Sequence, residues 1–219
     1  MRTRWGTLGS GLLVASLVLV LAGCSRGGSG AASPASSEAD ASSPPTCPRS
    51  WQADWQRLAN RIRTPVFCPS WLPNPLNGRF HGSPFNSRAV DRDGSYLISY
   101  AWVDTSGGGV NEVHVILRGY PGRTRIPSCD DTLTVAGKTV HKTIPCFADP
   151  KGKKGFGATA VTMYTANQGA DLWHVLYAWR YRGSLYTVSE HVVAPYTYTQ
   201  VVANLDRMMR GLELIRPTT

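Results

Sequence analysis

Five histidines are the side chains best suited to chemistry in this chain, and two of them fall where strand pairing would join them. His174 lies in the alternating run Asp171–Tyr181 and His191 in Leu185–Val193, with Arg182-Gly183 between the two. A two-residue turn at Arg182-Gly183 sets His174 opposite His191. On the other face it sets Trp179 opposite Tyr186 and Tyr177 opposite Val188, an aromatic pairing that favours this register. Facing imidazoles are metal-ligand candidates, but a metal needs at least a third donor. The sequence places none, because Glu190 alternates onto the opposite face. The plainer reading is a pair of exposed or half-buried strand histidines and no metal.

Glu112 and His114 alternate onto one strand face with Arg118. They read either as an acid–base pair or as the ordinary polar side of a strand. No nucleophile accompanies them: there is no Gly-x-Ser-x-Gly elbow and no Ser-x-x-Lys. Gly107-Gly108-Gly109 lacks the lysine and the following helix of a phosphate loop. Asp91-Arg92-Asp93-Gly94 is followed at once by a strand, so it reads as a tight turn and not as a calcium loop. Asp130-Asp131 reads as a loop cap. No catalytic residue and no cofactor are assigned, and the expectation leans away from an enzyme.

Aromatic residues offer a different kind of surface. Tyr100, Trp102, Trp173, Tyr177, Trp179, Tyr181 and Tyr186 give the sheet an aromatic face, which stacks on sugars or apolar ligands if open and forms core if helices cover it. The covered arrangement is the preferred one. Trp71, in a proline-rich connection, and the basic residues Arg118, Arg180 and Arg182, with Arg123 and Arg125 nearby, are the binding candidates.

These residues are carried by a chain whose hydrophobic period changes twice. Trp51, Trp55, Leu58, Ala59 and Ile62 share one helical face, with Ser50 as the expected cap and Pro65 as the stop. Residues 65–88 are rich in Pro, Asn and Gly and read as a long ordered connection. Alternation then predicts strands near 88–92, 96–103, 110–118, 132–135, 138–144, 156–164, 171–181 and 185–193. Pro150–Gly155 reads as a basic loop. A closing helix is marked by the Thr197/Gln200 capping box and by the stripe Val201, Val202, Leu205, Met208, Met209 and Leu212, with the methionines as core filler. Helix, strands, helix is the α+β class: one domain with a meandering antiparallel sheet of about six to seven strands, packed by an N-terminal and a C-terminal helix.

Export explains the cysteines. Arg2 and Arg4 precede an apolar run from Leu12 to Leu21, too short to span a bilayer comfortably, and small residues follow. Leu21-Ala22-Gly23-Cys24 resembles the lipobox of bacterial lipoproteins. That resemblance implies a signal peptide at 1–23, a diacylglyceryl group on the Cys24 thiol, and Cys24 as the mature N-terminus. Residues 24–46 then form a disordered Ser/Gly/Ala/Pro tether spanning about 25 Å, and the folded domain is 47–219. Of five cysteines, four remain for an oxidising compartment. Three pairings are open. Cys47–Cys68 with Cys129–Cys146 is favoured because each bridge brackets one local element, worth about 3 kcal/mol by loop entropy. Scattered spacing argues against zinc.

Loss of Arg2 and Arg4 lowers the net charge from +9 to +7, which draws the domain toward anionic headgroups or wall polymers. Nucleic acid is not an expected partner. Over about 45 residues, Val175–Val188 and the helix Val201–Leu212 resemble the closing hairpin and helix of small extracytoplasmic bacterial domains. These include the C-terminal domains of membrane-bound sigma-factor regulators and PsbP-like actinobacterial lipoproteins. The resemblance carries no catalytic residues. The expected function is therefore that of a lipid-anchored protein on the extracytoplasmic face of the cell membrane, binding or scaffolding an envelope polymer or protein. The alternatives are an extracytoplasmic hydrolase and a metal-binding accessory lipoprotein using His174 and His191.

Overall fold

The computed structural model describes residues 46–76, 83–105, 111–135, 137–167 and 173–218. The signal sequence, Cys24 and most of the tether lie outside the described residues. The order is α1 (Arg49–Ile62), β1 (Val66–Pro69), β2 (Ser83–Val90), β3 (Tyr96–Asp104), β4 (Asn111–Tyr120), β5 (Ser128–Val135) and β6 (Lys138–Pro145). Then follow β7 (Pro150–Phe156), β8 (Thr159–Asn167), β9 (Trp173–Tyr181), β10 (Ser184–His191), α2 (Tyr198–Arg210) and β11 (Leu212–Ile215). The α+β expectation holds, with a seven-stranded antiparallel sheet and both bridges, Cys47–Cys68 and Cys129–Cys146, as favoured.

The large sheet runs β2-β3-β4-β10-β9-β8-β7. It is two antiparallel meanders, β2 to β4 and β7 to β10, joined along β4 and β10 (Leu185↔Tyr120 through Glu190↔Val115). Because side chains alternate between the two faces, each strand serves both. One face carries Ile98, Val115, Tyr177, Trp179, Tyr186 and Val188 into the main core. Helix α1 adds Trp55, Leu58 and Ala59, and α2 adds Val201, Leu205, Met208 and Met209. Most of the aromatic face is thus core, as preferred, but Trp173 stays 46% exposed and stacks on Tyr198. The other face builds a smaller core in which Phe147 packs on Ala166, Leu176, Ala178 and Leu185.

Several local expectations change. Pro48, not Ser50, is the N-cap of α1, and its carbonyl accepts from Trp51 and Gln52. The bridge of Cys47 to Cys68 and the Cys47 N–H donated to the Glu213 carboxylate fix the chain just ahead of Pro48, so the helix begins there. Within the expected connection 65–88, Val66–Pro69 pairs with Leu212–Ile215, which are strand and not helix tail. Gly211 ends α2, its N–H donating to the Arg207 and Met208 carbonyls. A four-residue ribbon is too short to announce itself by period. Pro150–Gly155 is not a loop but the edge strand β7, bulged between Pro150 and Gly152. Its lysines suit an edge, where charge discourages pairing with a second chain.

Asp130-Asp131, expected in a loop, lie within β5. The turn before β3 takes five residues, since Val90 already pairs with Tyr96. Ser95 closes it by donating to Asp91 and Asp93.

Candidate functional site

Arg182-Gly183 is a two-residue turn with φ of 48° and 75°, the left-handed pair that a tight hairpin requires. It puts Ser184 opposite Tyr181 and, seven pairs on, His191 opposite His174, as the sequence register predicts. The joint between the meanders then adds a histidine that the hairpin alone does not reach. Glu190 pairs with Val115, so the next step along the ladder sets His191 beside His114. Ala101 pairs with His114 on the outer side and Ala166 with His174 on the other. One row across five strands therefore reads Ala101, His114, His191, His174, Ala166.

The three imidazoles touch. Ring centroids are 4.6 Å apart for His114 and His174, 4.7 Å for His114 and His191, and 5.2 Å for His174 and His191. Nε2 of His114 and Nε2 of His174 share a hydrogen bond of 2.8 Å, one ring donating N–H and the other accepting. His191 Nδ1 lies 2.8 Å from the Glu112 carbonyl; an acceptor there requires Nδ1 to carry the proton. The Glu112 carboxylate stands 3.1 Å from His114 Nδ1, at ion-pair distance but off the line of a hydrogen bond. Among the described residues His174 Nδ1 has no hydrogen-bond partner.

All three histidines are buried, so the expected exposed or half-buried positions of His174 and His191 are not found, and burial sets the protonation of His174 and His114. Removal from water, with the neighbouring imidazoles and Arg118 acting in the same direction, pulls His174 down to about 3. Burial first and His191 second lower His114, while Glu112 acts the other way. Both are neutral imidazoles at pH 7, the form that hydrogen-bonds or ligates. As they stand, no three His, Cys, Asp or Glu side chains among the described residues are arranged to hold a metal ion.

One residue away, Glu190 enters the helix-side core. Its Oε1 accepts from Asn204 at 2.7 Å, and among the described residues Oε2 has no hydrogen-bond partner. Burial raises it to about 8, so it stands as a neutral acid at pH 7. A second polar cluster links three elements at the sheet edge: Lys154 Nζ donates to Asp206 at 2.7 Å and to the Tyr177 hydroxyl at 2.8 Å. Tyr177 donates in turn to Asp206 at 2.6 Å.

The other sequence candidates are not gathered. Arg118, opposite Thr187, and Arg180, opposite Leu185, lie on the histidine face but in different rows. Arg180 donates to the Thr124 carbonyl. Arg182 sits in the turn over the Tyr181 ring, and Arg123 pairs with Asp93. Trp71 belongs to the opposite side, packed on the main core with Arg207 4.0 Å from its ring centre. The four binding candidates therefore form no common site. Sequence reasoning had grouped His114 with Glu112 but not with the histidine hairpin; the one available signal was that both runs place a histidine near a strand end.

Set against models of known families, curated proteins and solved structures, the chain matches none.

Proposed function

We propose that this protein is a lipid-anchored extracytoplasmic domain that binds a component of the cell envelope and is not an enzyme. The observation that carries the reading is the cysteine inventory. Two bridges take up four of the five cysteines. The fifth is Cys24, at the lipobox position of Leu21-Ala22-Gly23-Cys24, with an unstructured tether's composition behind it. Disulfides of this kind form in exported proteins, and a net positive charge favours anionic surfaces. The closest carboxylate–histidine contact, Glu112 with His114, leads on to a second imidazole and not to a serine, threonine or cysteine hydroxyl or thiol. That supports binding over covalent hydrolysis.

Mass spectrometry of the N-terminal peptide tests the anchor. A diacylglyceryl-modified Cys24 and release of Cys24→Ala from the membrane fraction are expected. A mature protein that starts elsewhere and carries no lipid overturns the reading. Crosslinking in native membranes then identifies the envelope neighbour.

A further inference from the structure

We infer that the cleft between α1 and the β2–β3 edge of the sheet binds a single hexopyranose unit of an envelope glycan. The inference rests on the envelope-binding reading and names the ligand class for it. On α1, Trp51, Asp54 and Trp55 stand three and four residues apart and so share one face. Opposite them, Asn86 pairs with Tyr100 and Arg88 with Ile98, and alternation turns these four side chains toward the helix. Together they line a cleft of about 160 Å3. Trp55 and Ile98 are buried at its base. Trp51 and Tyr100 stack on one another at 5.2 Å and are only partly buried, which makes an aromatic wall. Arg88 reaches across to Asp54 at 2.6 Å. This pair keeps its contact with solvent, the two side chains being 51% and 35% exposed.

That lining matches the two-sided chemistry of a pyranose, which presents C–H groups on its ring faces and hydroxyls around its rim. Aromatic side chains offer apolar contact to the faces, and a few fixed polar groups orient the ligand. A guanidinium carries five N–H donors and a carboxylate about four acceptor sites. The Arg88–Asp54 hydrogen bond engages one of each, and Arg57 takes a second acceptor site on Asp54. The remaining capacity, with the Asn86 amide, suits vicinal hydroxyls, which donate and accept at once. A carboxylate in the lining disfavours a phosphate or carboxylate ligand and selects a neutral sugar. The cleft is smaller than the roughly 300–1,000 Å3 of drug-sized sites. It therefore admits one ring and leaves the rest of a glycan in solvent.

NMR of the indole N–H groups, on the full chain in a detergent without a sugar headgroup, tests the site. The probes are methyl glycosides of glucose, mannose, galactose and N-acetylglucosamine. Trp51 and Trp55 should shift saturably with at least one of them, with a Kd of about 1 mM for so small a ligand. Glycerol at the same concentration should move neither. Asn86 and Arg88 are exposed, and an exposed ion pair contributes little to stability. Asn86→Ala and Arg88→Gln should therefore melt as the unaltered protein does, while each weakens binding roughly five- to tenfold. Absence of a saturable shift with all four glycosides overturns the site. So do equal shifts with glycerol, or undiminished affinity in either folded variant. Retention on lipid-extracted cell wall, released by the active glycoside, assigns the unit to a wall polymer; retention lost with the lipid assigns it to a glycolipid headgroup. An overturned site leaves lipidation of Cys24 and the envelope crosslinks standing. A mature chain without lipid overturns the anchor and leaves the sugar titration readable.

Discussion

His114 and His174 share a 2.8 Å hydrogen bond between their Nε2 atoms although 60 residues separate them in the chain. The contact exists because the two meanders of the sheet join along β4 and β10. His191 lies between them in strand order and stacks on both rings. Two of these buried imidazoles, His114 and His174, are held below the usual histidine range, which makes the sheet's stability sensitive to acid.

Acid should destabilise the protein through this row. His174 is held at about 3 against an ordinary 6.5, so below pH 6.5 the unfolded chain takes up a proton that the folded chain refuses. Stability contributed by the neutral ring is full above pH 6.5 and is lost as pH falls toward 3. The loss is about 1.4 kcal/mol per pH unit for each such group, and His114, also lowered, adds to it. Urea titrations between pH 4 and 7 should show the slope, and His174→Phe should reduce it. A flat profile would contradict the assigned burial.

Glu190 works in the opposite sense. Its carboxyl is raised to about 8 from 4.5, so the folded state holds a proton that the unfolded state releases. Its contribution is full below pH 4.5 and is lost as pH rises through 8. Together with the histidines this places maximum stability near pH 6.5. Glu190→Gln, which keeps the amide-bearing Asn204 beside a neutral group of similar shape, should flatten the decline from pH 6.5 to 8. Denaturation midpoints at those two pH values measure it.

The Lys154, Asp206 and Tyr177 cluster pins the edge strand to α2. Its salt bridge is about three-quarters enclosed, with side chains 30% and 25% exposed. Asp206→Ala leaves an ammonium and a phenol without their common acceptor and should cost about 1–3 kcal/mol. Hydrogen exchange should report the loss first as faster opening of Lys153 and Gly155 in β7. Uniform acceleration across the sheet would assign the cluster to the global core instead.

The two disulfides should differ in reach. Cys47 and Cys68 are buried in the main core, whereas Cys129 and Cys146 close a hairpin whose β6 strand is almost wholly exposed. Each bridge closes a loop worth about 3 kcal/mol. Cys47→Ala/Cys68→Ala should lower the melting temperature of the whole domain. Cys129→Ala/Cys146→Ala should release the hairpin to exchange and proteolysis with a smaller change in melting.

Gly119 shows how closely β3 and β4 are fitted. A side-chain carbon at Gly119 would overlap the buried Tyr96 ring that lies across it. Gly119→Ala should therefore cost about 1–3 kcal/mol by overpacking, although its backbone would accept alanine. A melting curve unchanged by the substitution would show that Tyr96 has room to move.

Local chemistry was legible wherever a pattern repeats or a turn dictates geometry. The helix stripes, the Thr197/Gln200 box and the Arg182-Gly183 turn are local contacts settled by short-range sterics, and the two sequential cysteine pairs, each within about twenty residues, were favoured by the same proximity. Elements without such signals stayed hidden. The ribbon of Val66–Pro69 with Leu212–Ile215 is four residues long, and the lysines and glycines of β7 resemble loop composition because an edge strand tolerates both.

Given a two-residue turn at Arg182-Gly183, the sequence alone determined the face that His174 and His191 share and the opposite face that Glu190 takes, since period-two alternation follows from the strand pleat. It also determined the export pattern around Cys24 that the proposed anchor rests on. Only the tertiary structure decided that His114 completes the row. That contact depends on β4 and β10 lying side by side with Glu190 opposite Val115. Such non-local pairing is selected by the packing of both sheet faces, and no local propensity encodes it.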